Sequence, residues 1–403
     1  MEAKNQAGER KVIFLTGATG HVGQNLVPKI LGSDDASSLI LLIRGDSDVE
    51  VEERLEKLLG SLPPVLDAQK TRERVSAVRG DITLPRLGIS ESGFHELAST
   101  VTYIIHSAAS VMFRLPLEEA RKINVEGTKN VMGLARQAKS KGRLQRVAYI
   151  GTAFVSGNRT GMIKEEELDC GQQFSNSYEQ TKFEAEKYVR ELCGELPVVI
   201  FRPSIIVGDS QTGDTSTFNV IYIPLKYISR GLLKFLPGSP STSLDIVPVD
   251  FVCAAICHIL FKANDSVGKT FHLCAGRDKA PTAGEVTDLA VKYFNRFQAQ
   301  KHISRIKFIP VRWVRILEFF LRPPVREKLE KLKACAPYLE NGKHFETANA
   351  RAALDGTGIE PPPFRLYFWS LLRYSVLANW GEEAAESSLG KFLPFLESQG
   401  ISR

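Results

Sequence analysis

Tyr178 and Lys182 stand four residues apart in "NSYEQTKFEAEKYVREL", a run with the composition of a helix. On a helix, residues i and i+4 share a face, so a phenol would lie beside an ammonium group. That pairing has a chemistry. A free tyrosine, with a pKa near ~10, is a poor acid-base group at neutral pH, and a neighbouring cation favours its phenolate. The same spacing also describes an ordinary exposed pair, and alone it does not separate the two. A second candidate lies near the start of the chain. "LTGATGHVG" sets Gly17, Gly20 and Gly23 between a buried apolar run, "KVIFLTG", and an amphipathic helix, "HVGQNLVPKILGS". Gly17 and Gly20 let the backbone turn tightly and approach a pyrophosphate, which Thr19, His21, Val22 and the amides of the first helical turn would hold. Gly23 lets the helix pack close on the sheet. The spacing is G-x-x-G-x-x-G, which departs from the G-x-G-x-x-G dinucleotide fingerprint.

The next apolar run, "SLILLIRG", ends in Ile43-Arg44-Gly45. A site for NAD expects a carboxylate here to bind the ribose 2′-hydroxyl; a planar, permanently charged guanidinium instead suits a 2′-phosphate. Arg54, on the following helix, is a candidate second clamp. NADPH is therefore expected over NADH, with Asp46 close by as the acidic alternative.

These groups need elements to hold them. "RVSAVRGD", "VTYIIHSAAS", "RVAYIGTAFV" and "PVVIFRPSIIVG" read as four more strands, separated in part by helical stretches at about 116–139 and 178–193. Near-continuous Val/Ile/Leu strands alternating with helices predict an α/β fold: a doubly wound, parallel Rossmann sheet covered on both faces. Candidate residues fall at the strand ends. Asp81 and Ile82 follow the third strand, where an adenine ring could be held. Ser107, Ala108 and Ala109 follow the fourth, and their small side chains let backbone approach a cofactor. Asn124 lies on the next helix, Thr152 ends the fifth strand, and Pro203, Ser204 and Ile205 close the sixth. His106 reads as a core histidine with its polar needs met. Beyond about residue 210 the pattern changes. "DSQTGDTSTFN" has the composition of a lid, "SLDIVPVDFVCAAICHILF" returns to strand and helix, and the remainder is aromatic-rich and helical. The expected organisation is a Rossmann domain over 1–210 and a smaller, mostly helical substrate-binding part over 211–403, with some elements returning to the main sheet.

The 403 residues are 43% hydrophobic and 24% charged, as in ordinary globular chains. The net charge of +6 is spread among acidic residues without a basic block, which argues against a nucleic-acid partner while favouring anionic ligands. The polar start "MEAKNQAGERK" has no signal-peptide core, no apolar run nears the ~20 residues that span a bilayer, and the six cysteines lack framework spacing. A cytoplasmic setting is expected. Cys253 and Cys257 have no second pair to make a metal site and read as core, so no metal is expected.

In sum "TGATGHVG", "GDI", "HSAAS", "NVEGT", "YIGTAFV", "YEQTK" and "RPSIIVG", over about residues 11–210, resemble the extended short-chain dehydrogenase/reductases. The resemblance implies that Thr152, Tyr178 and Lys182 are catalytic with Asn124 assisting, and that "RPSII" lines the nicotinamide site. Within that group, "LLIRGDSDVEVEERL", "VRGDITLPRLGIS", "HSAASVMF", "EARKINVEGTKNV" and "NSYEQTKFEAEKYV" look like the thioester-reductase and fatty acyl-CoA reductase (male-sterility-type) branch; Arg44 and Arg54-Leu55 match its arginine positions. The resemblance fades after about residue 275. It implies NADPH-dependent reduction of an acyl thioester to aldehyde, and on to alcohol if a second hydride follows. The substrate would arrive as acyl-CoA or on a separate acyl carrier protein. The alternative is an extended reductase or epimerase acting on a sterol-like alcohol or ketone, or on a nucleotide sugar. The aromatic runs "RWVRILEFFLRPP" and "FRLYFWSLLRYSVLANW" suit a helical core, an acyl tunnel wall, or peripheral contact with a membrane.

Overall fold

A computed structural model describes residues 11–33, 36–297, 302–310, 338 and 342–382. Six of the apolar runs form strands: β1 (Val12–Thr16), β2 (Ser38–Ile43), β3 (Val75–Arg79), β4 (Tyr103–His106), β5 (Arg146–Ile150) and β6 (Val198–Pro203). A seventh, β7 (Thr270–Leu273), comes from the later half of the chain. They make one sheet in the order β3-β2-β1-β4-β5-β6-β7, and every neighbouring pair is parallel. This is the expected doubly wound Rossmann sheet. Its strand order reverses beside β1, which pairs with both β2 and β4. In sheets of this kind, ligands bind outside the carboxyl ends of the strands at such a reversal.

Burial on both faces explains why the strands read as unbroken apolar runs. On one face Phe14, Ile104, Val147, Tyr149, Val198 and Ile200 pack with Val131, Leu134, Ala185 and Val189. The last four come from two helices, Gly127–Ser140 and Ser177–Glu191. Each such aliphatic side chain contributes roughly 1.5–3 kcal/mol when fully buried. The core thus holds rigid the two helices that carry the candidate polar residues.

The chain divides into two compact units. The first comprises residues 1–204, 251–274 and 345–360, so the break falls at Ser204, ahead of the boundary at 210 read from the sequence. Residues 345–360 are tied to β7 through Glu165. Its carboxylate accepts from the amides of His272 (2.8 Å), Asn349 (2.6 Å) and Ala350 (3.3 Å).

The second unit comprises residues 205–250, 275–344 and 361–403. Its described helices include Ala283–Phe297 and Phe364–Leu377, and its strands Ile205–Val207 and Ile246–Pro248 pair in parallel. The segment with lid composition is pinned. Ser210 donates its amide and hydroxyl to Asp250 at 2.9 and 2.7 Å, and the Asp209 amide donates to Asp214 O at 2.9 Å. Those bonds give residues 209–214 a fixed turn. Of the two aromatic runs, the first lies outside the described residues. The second buries Phe364, Tyr367, Phe368, Leu371 and Leu372, so core packing takes up much of its apolar content. Among the described residues no helix is long and apolar enough to cross a membrane.

Candidate active site

The glycine turn and the end of β4 are built against each other. Gly17 has φ +75°, and a Cβ there would stand 2.6 Å from the Ala108 nitrogen, so only glycine fits. A Cβ on Gly23 would stand 2.1 Å from Gly17 O, because the helix His21–Ser33 starts directly on the turn. Gly20 closes the turn with its amide on Gly17 O at 3.0 Å, and it and Thr19 are exposed. A helix leaves its first amides without intrahelical acceptors, and this one has no acidic side chain in its first turn, so the end at His21 and Val22 suits an anion.

The turn and β4 are joined by a polar chain that sequence reading did not assemble. Thr16 Oγ1 accepts from the Ala108 amide (3.3 Å) and bonds His106 Nδ1 (2.8 Å); His106 Nε2 bonds Thr128 Oγ1 (3.0 Å); Thr128 donates to Asn124 O (2.6 Å). His106 is therefore a satisfied core residue. Burial, with Lys182 adding to it, lowers its pKa to about 3 and keeps it neutral.

Arg44, exposed at the end of β2, has no ion-pair partner among the described residues. Arg54 reaches back and donates to the Arg44 carbonyl, which places both guanidinium groups at this strand end. Arg79, which the sequence did not single out, joins them by pairing with Asp48 at 2.7 Å and donating to Asp46 O at 3.1 Å. The third strand end is shaped by Asp81, whose carboxylate accepts from the Thr83 amide at 2.8 Å. Asn130 holds Ile82 O at 2.7 Å. Ser107, Ala108 and Ala109 are partly exposed past β4. Pro203 ends β6 and Ser204 follows it, with a buried hydroxyl that has no partner among the described residues. Ile205 opens the second unit. An anion-binding turn, a cluster of guanidinium groups past β2 and a buried hydroxyl after β6 fit a phosphorylated dinucleotide.

The remaining candidates come together in the first unit. The helix that carries Asn124 is interrupted by a π turn, Lys122–Glu126, between Leu117–Arg121 and Gly127–Ser140. Such bulges re-aim a side chain. Here the Asn124 side chain accepts from the Ser110 amide (2.8 Å) and donates to Ser110 O (3.1 Å) and Thr181 Oγ1 (2.9 Å). Thr152 lies two residues past β5, accepts from the Phe154 amide at 3.3 Å, and hydrogen-bonds the Tyr178 side chain. Asn176 caps the helix Ser177–Glu191 through the Glu179 amide, so Tyr178 stands in its first turn and Lys182 one turn on, on the same face.

Lys182 donates to Ile150 O at 2.8 Å and lies over the Tyr149 ring at 4.5 Å. The ammonium thus faces a carbonyl dipole and a π face, with no carboxylate in hydrogen-bond contact among the described residues. Burial lowers its pKa to about 8, against the pull of Glu186. Tyr178 behaves differently from the sequence expectation. Burial raises the phenol to about 12, opposed by the Thr152 hydrogen bond and aided by Glu179. The protein alone therefore keeps the phenol protonated at neutral pH, the form that donates. Tyr149 was missed because a tyrosine inside a strand reads as core.

Comparison with known proteins places the chain in a family. Residues 15–256 match the family described as Male sterility protein, an NAD-binding domain family. The chain is 32% identical over 272 residues to the nonribosomal peptide synthetase asaC of Aspergillus flavus, covering 65% of this chain and 26% of that protein. It is 30% identical over 279 residues to the fatty acyl-CoA reductase wat of Drosophila melanogaster, covering 61% of this chain and 53% of that one. It thus spans between about a quarter and a half of the length of these relatives. Among solved structures, the terminal R domain of the myxalamid PKS-NRPS pathway superposes with TM-score 0.77 at 29% identity, covering 94% of both chains. A UDP-glucuronic acid 4-epimerase from Bacillus cereus in complex with NAD shares the fold alone, at TM-score 0.63 and 15% identity. The chain belongs to the male sterility family of NAD(P)-dependent oxidoreductases, within the extended short-chain dehydrogenase/reductases.

Proposed function

We propose that this protein reduces an acyl thioester, carried by coenzyme A or by an acyl carrier protein, to an aldehyde and free thiol with NADPH. The observation that carries this reading is the group of partly buried Tyr178 with buried Thr152 and Lys182. A protonated phenol is hydrogen-bonded to a threonine hydroxyl, with an ammonium held one helical turn away by neutral acceptors. The fatty acyl-CoA reductase and the R domain among its relatives support the thioester as substrate class. The exposed Arg44, with Arg54 beside it, supports the 2′-phosphate of NADPH.

Bound NADPH supplies the hydride. The protein's own part is positioning and the proton. Thr152 and Tyr178 hydrogen-bond the thioester carbonyl oxygen, which becomes an oxyanion as hydride adds to its carbon. Tyr178 gives that oxygen its proton, with Lys182 stabilising the phenolate that remains. The hemithioacetal then collapses: the C–S bond breaks, the hydroxyl proton passes to sulfur, and aldehyde and thiol separate. Asn124 fixes Ser110 and Thr181, and so the loop after β4 and the helix behind Tyr178.

NADPH consumption across CoA thioesters, carrier-bound thioesters and free aldehydes tests the reading. One equivalent of thiol should appear per thioester consumed, with NADPH preferred over NADH. Inert thioesters, with turnover of a sterol-like alcohol or ketone or a nucleotide sugar instead, would establish the alternative.

A further inference from the structure

Residues 107–116 run as a loop from β4 to the helix that leads into Asn124, and both ends of the loop are clamped to the catalytic group. Asn124 holds Ser110 by its amide and its carbonyl, at 2.8 and 3.1 Å. At the other end the Ser177 hydroxyl, next to Tyr178, donates to Leu115 O at 2.7 Å. Within the loop the Leu115 amide donates to Met112 O at 3.3 Å. Phe113 lays its ring against that of Tyr178, with centroids 5.9 Å apart and planes at 43°. Val111 and Met112 remain 49% and 64% exposed.

A loop free to move exposes apolar side chains without consequence. This one fixes them beside the proton donor, and a fixed apolar surface next to a reacting centre marks a ligand contact. We infer that Val111, Met112 and Phe113 form the wall on which the aliphatic acyl chain of the substrate lies, an inference that rests on the thioester reading above. The chemistry selects that part of the substrate. The pantetheine arm of a thioester carries two amides, and the cofactor carries phosphates, hydroxyls and a carboxamide; all of these need polar partners. The three side chains offer a branched aliphatic group, a thioether and an aromatic ring. Methionine also adapts its shape, which suits chains of differing length. Clamping through Asn124 and Ser177 makes the wall part of the same rigid body as the phenol.

The test compares butyryl-CoA with dodecanoyl-CoA, using the full chain and NADPH. Val111→Asn and Met112→Asn are each expected to lower the dodecanoyl-to-butyryl ratio of kcat/KM by about tenfold, the worth of one or two buried methylene groups. The change should sit in KM for the long chain, because the wall binds without taking part in proton transfer. Both positions are exposed, so the variants should melt with the wild type. Val65→Asn, at an equally apolar and more exposed loop position, should leave the ratio where it is. A ratio unmoved by both wall variants, with butyryl-CoA still reduced, overturns the wall and leaves the thioester reading standing. A wild type that reduces neither thioester overturns both.

Discussion

The helix Ser177–Glu191 carries two buried charges of opposite sign one turn apart, Lys182 and Glu186, and they are built on opposite rules. Around Lys182 the partners are neutral: a carbonyl at 2.8 Å and an aromatic face at 4.5 Å. Around Glu186 every partner is charged or strongly polar. Its carboxylate meets Arg202 at 2.6 Å and Arg190 at 3.1 Å, and Arg202 gives its remaining N–H groups to Glu165 O, Glu167 O and His272. A desolvated charge that is fully paired stays charged and holds shape, whereas one held by dipoles keeps a proton that can respond to its surroundings. The first arrangement belongs beside a reacting group. The second holds β6, β7 and the helix together behind it.

The comparison can be broken by substitution, most forcefully at the proton donor. Tyr178→Phe should lower turnover roughly a thousandfold, within the range for loss of a general acid, with NADPH binding by fluorescence titration unchanged. A variant that keeps its activity would remove Tyr178 from the chemistry. Glu186→Ala strands two guanidinium groups and should cost about 3–5 kcal/mol in urea unfolding. Lys182→Met should cost no more than about 1 kcal/mol while abolishing turnover, because it removes a charge that no carboxylate contacts. Equal destabilisation by the two would erase the distinction between the clusters. Arg44→Ser should weaken NADPH binding about tenfold and NADH binding far less, the loss of one charge-assisted hydrogen bond; equal losses would undo the 2′-phosphate assignment.

Stability should also depend on pH. Burial lowers His106 and His272 from 6.5 to about 3. Between those values the unfolded chain binds protons that the native one refuses, so stability falls as pH falls through that window. Glu165 runs the other way. Burial raises it from 4.5 to about 7, so the native chain binds the extra proton and stability falls as pH rises from 4.5 to 7. Melting curves of Glu165→Gln should lose the second slope and keep the first. If the upper slope persists in that variant, another group is responsible for it.

Much of the fold was legible because parallel strands buried on both faces advertise themselves as apolar runs. β7 was harder to place: "KTFHLC" is short, and it reaches the sheet from 66 residues beyond β6, after the chain has visited the second unit. The glycine turn, Arg44 and the Tyr178–Lys182 pair stood out because backbone approach, charge and helical spacing restrict residue type, whereas the roles expected of Asn124 and Thr152 came from the family resemblance. The supporting groups could not. Tyr149, Thr16 and Thr128 act by hydrogen bonds or ring contacts across distant parts of the chain, and nothing in their local sequence announces a partner. Arg202 did carry a signal, since an arginine inside "VVIFRP" must find a carboxylate once its strand is buried. The phenol's upward shift was invisible because burial, rather than the neighbouring lysine, dominates it.

The most direct measurement uses NADPH deuterated at the transferable position of C4, an acyl-CoA thioester, and the purified chain. Transfer of one deuterium to the carbonyl carbon of the aldehyde, with one free thiol per aldehyde, is the expected result; in Tyr178→Phe both should fall together. Thiol release with no deuterium in the product would mean hydrolysis without reduction, and would contradict the assignment of this site as a thioester reductase.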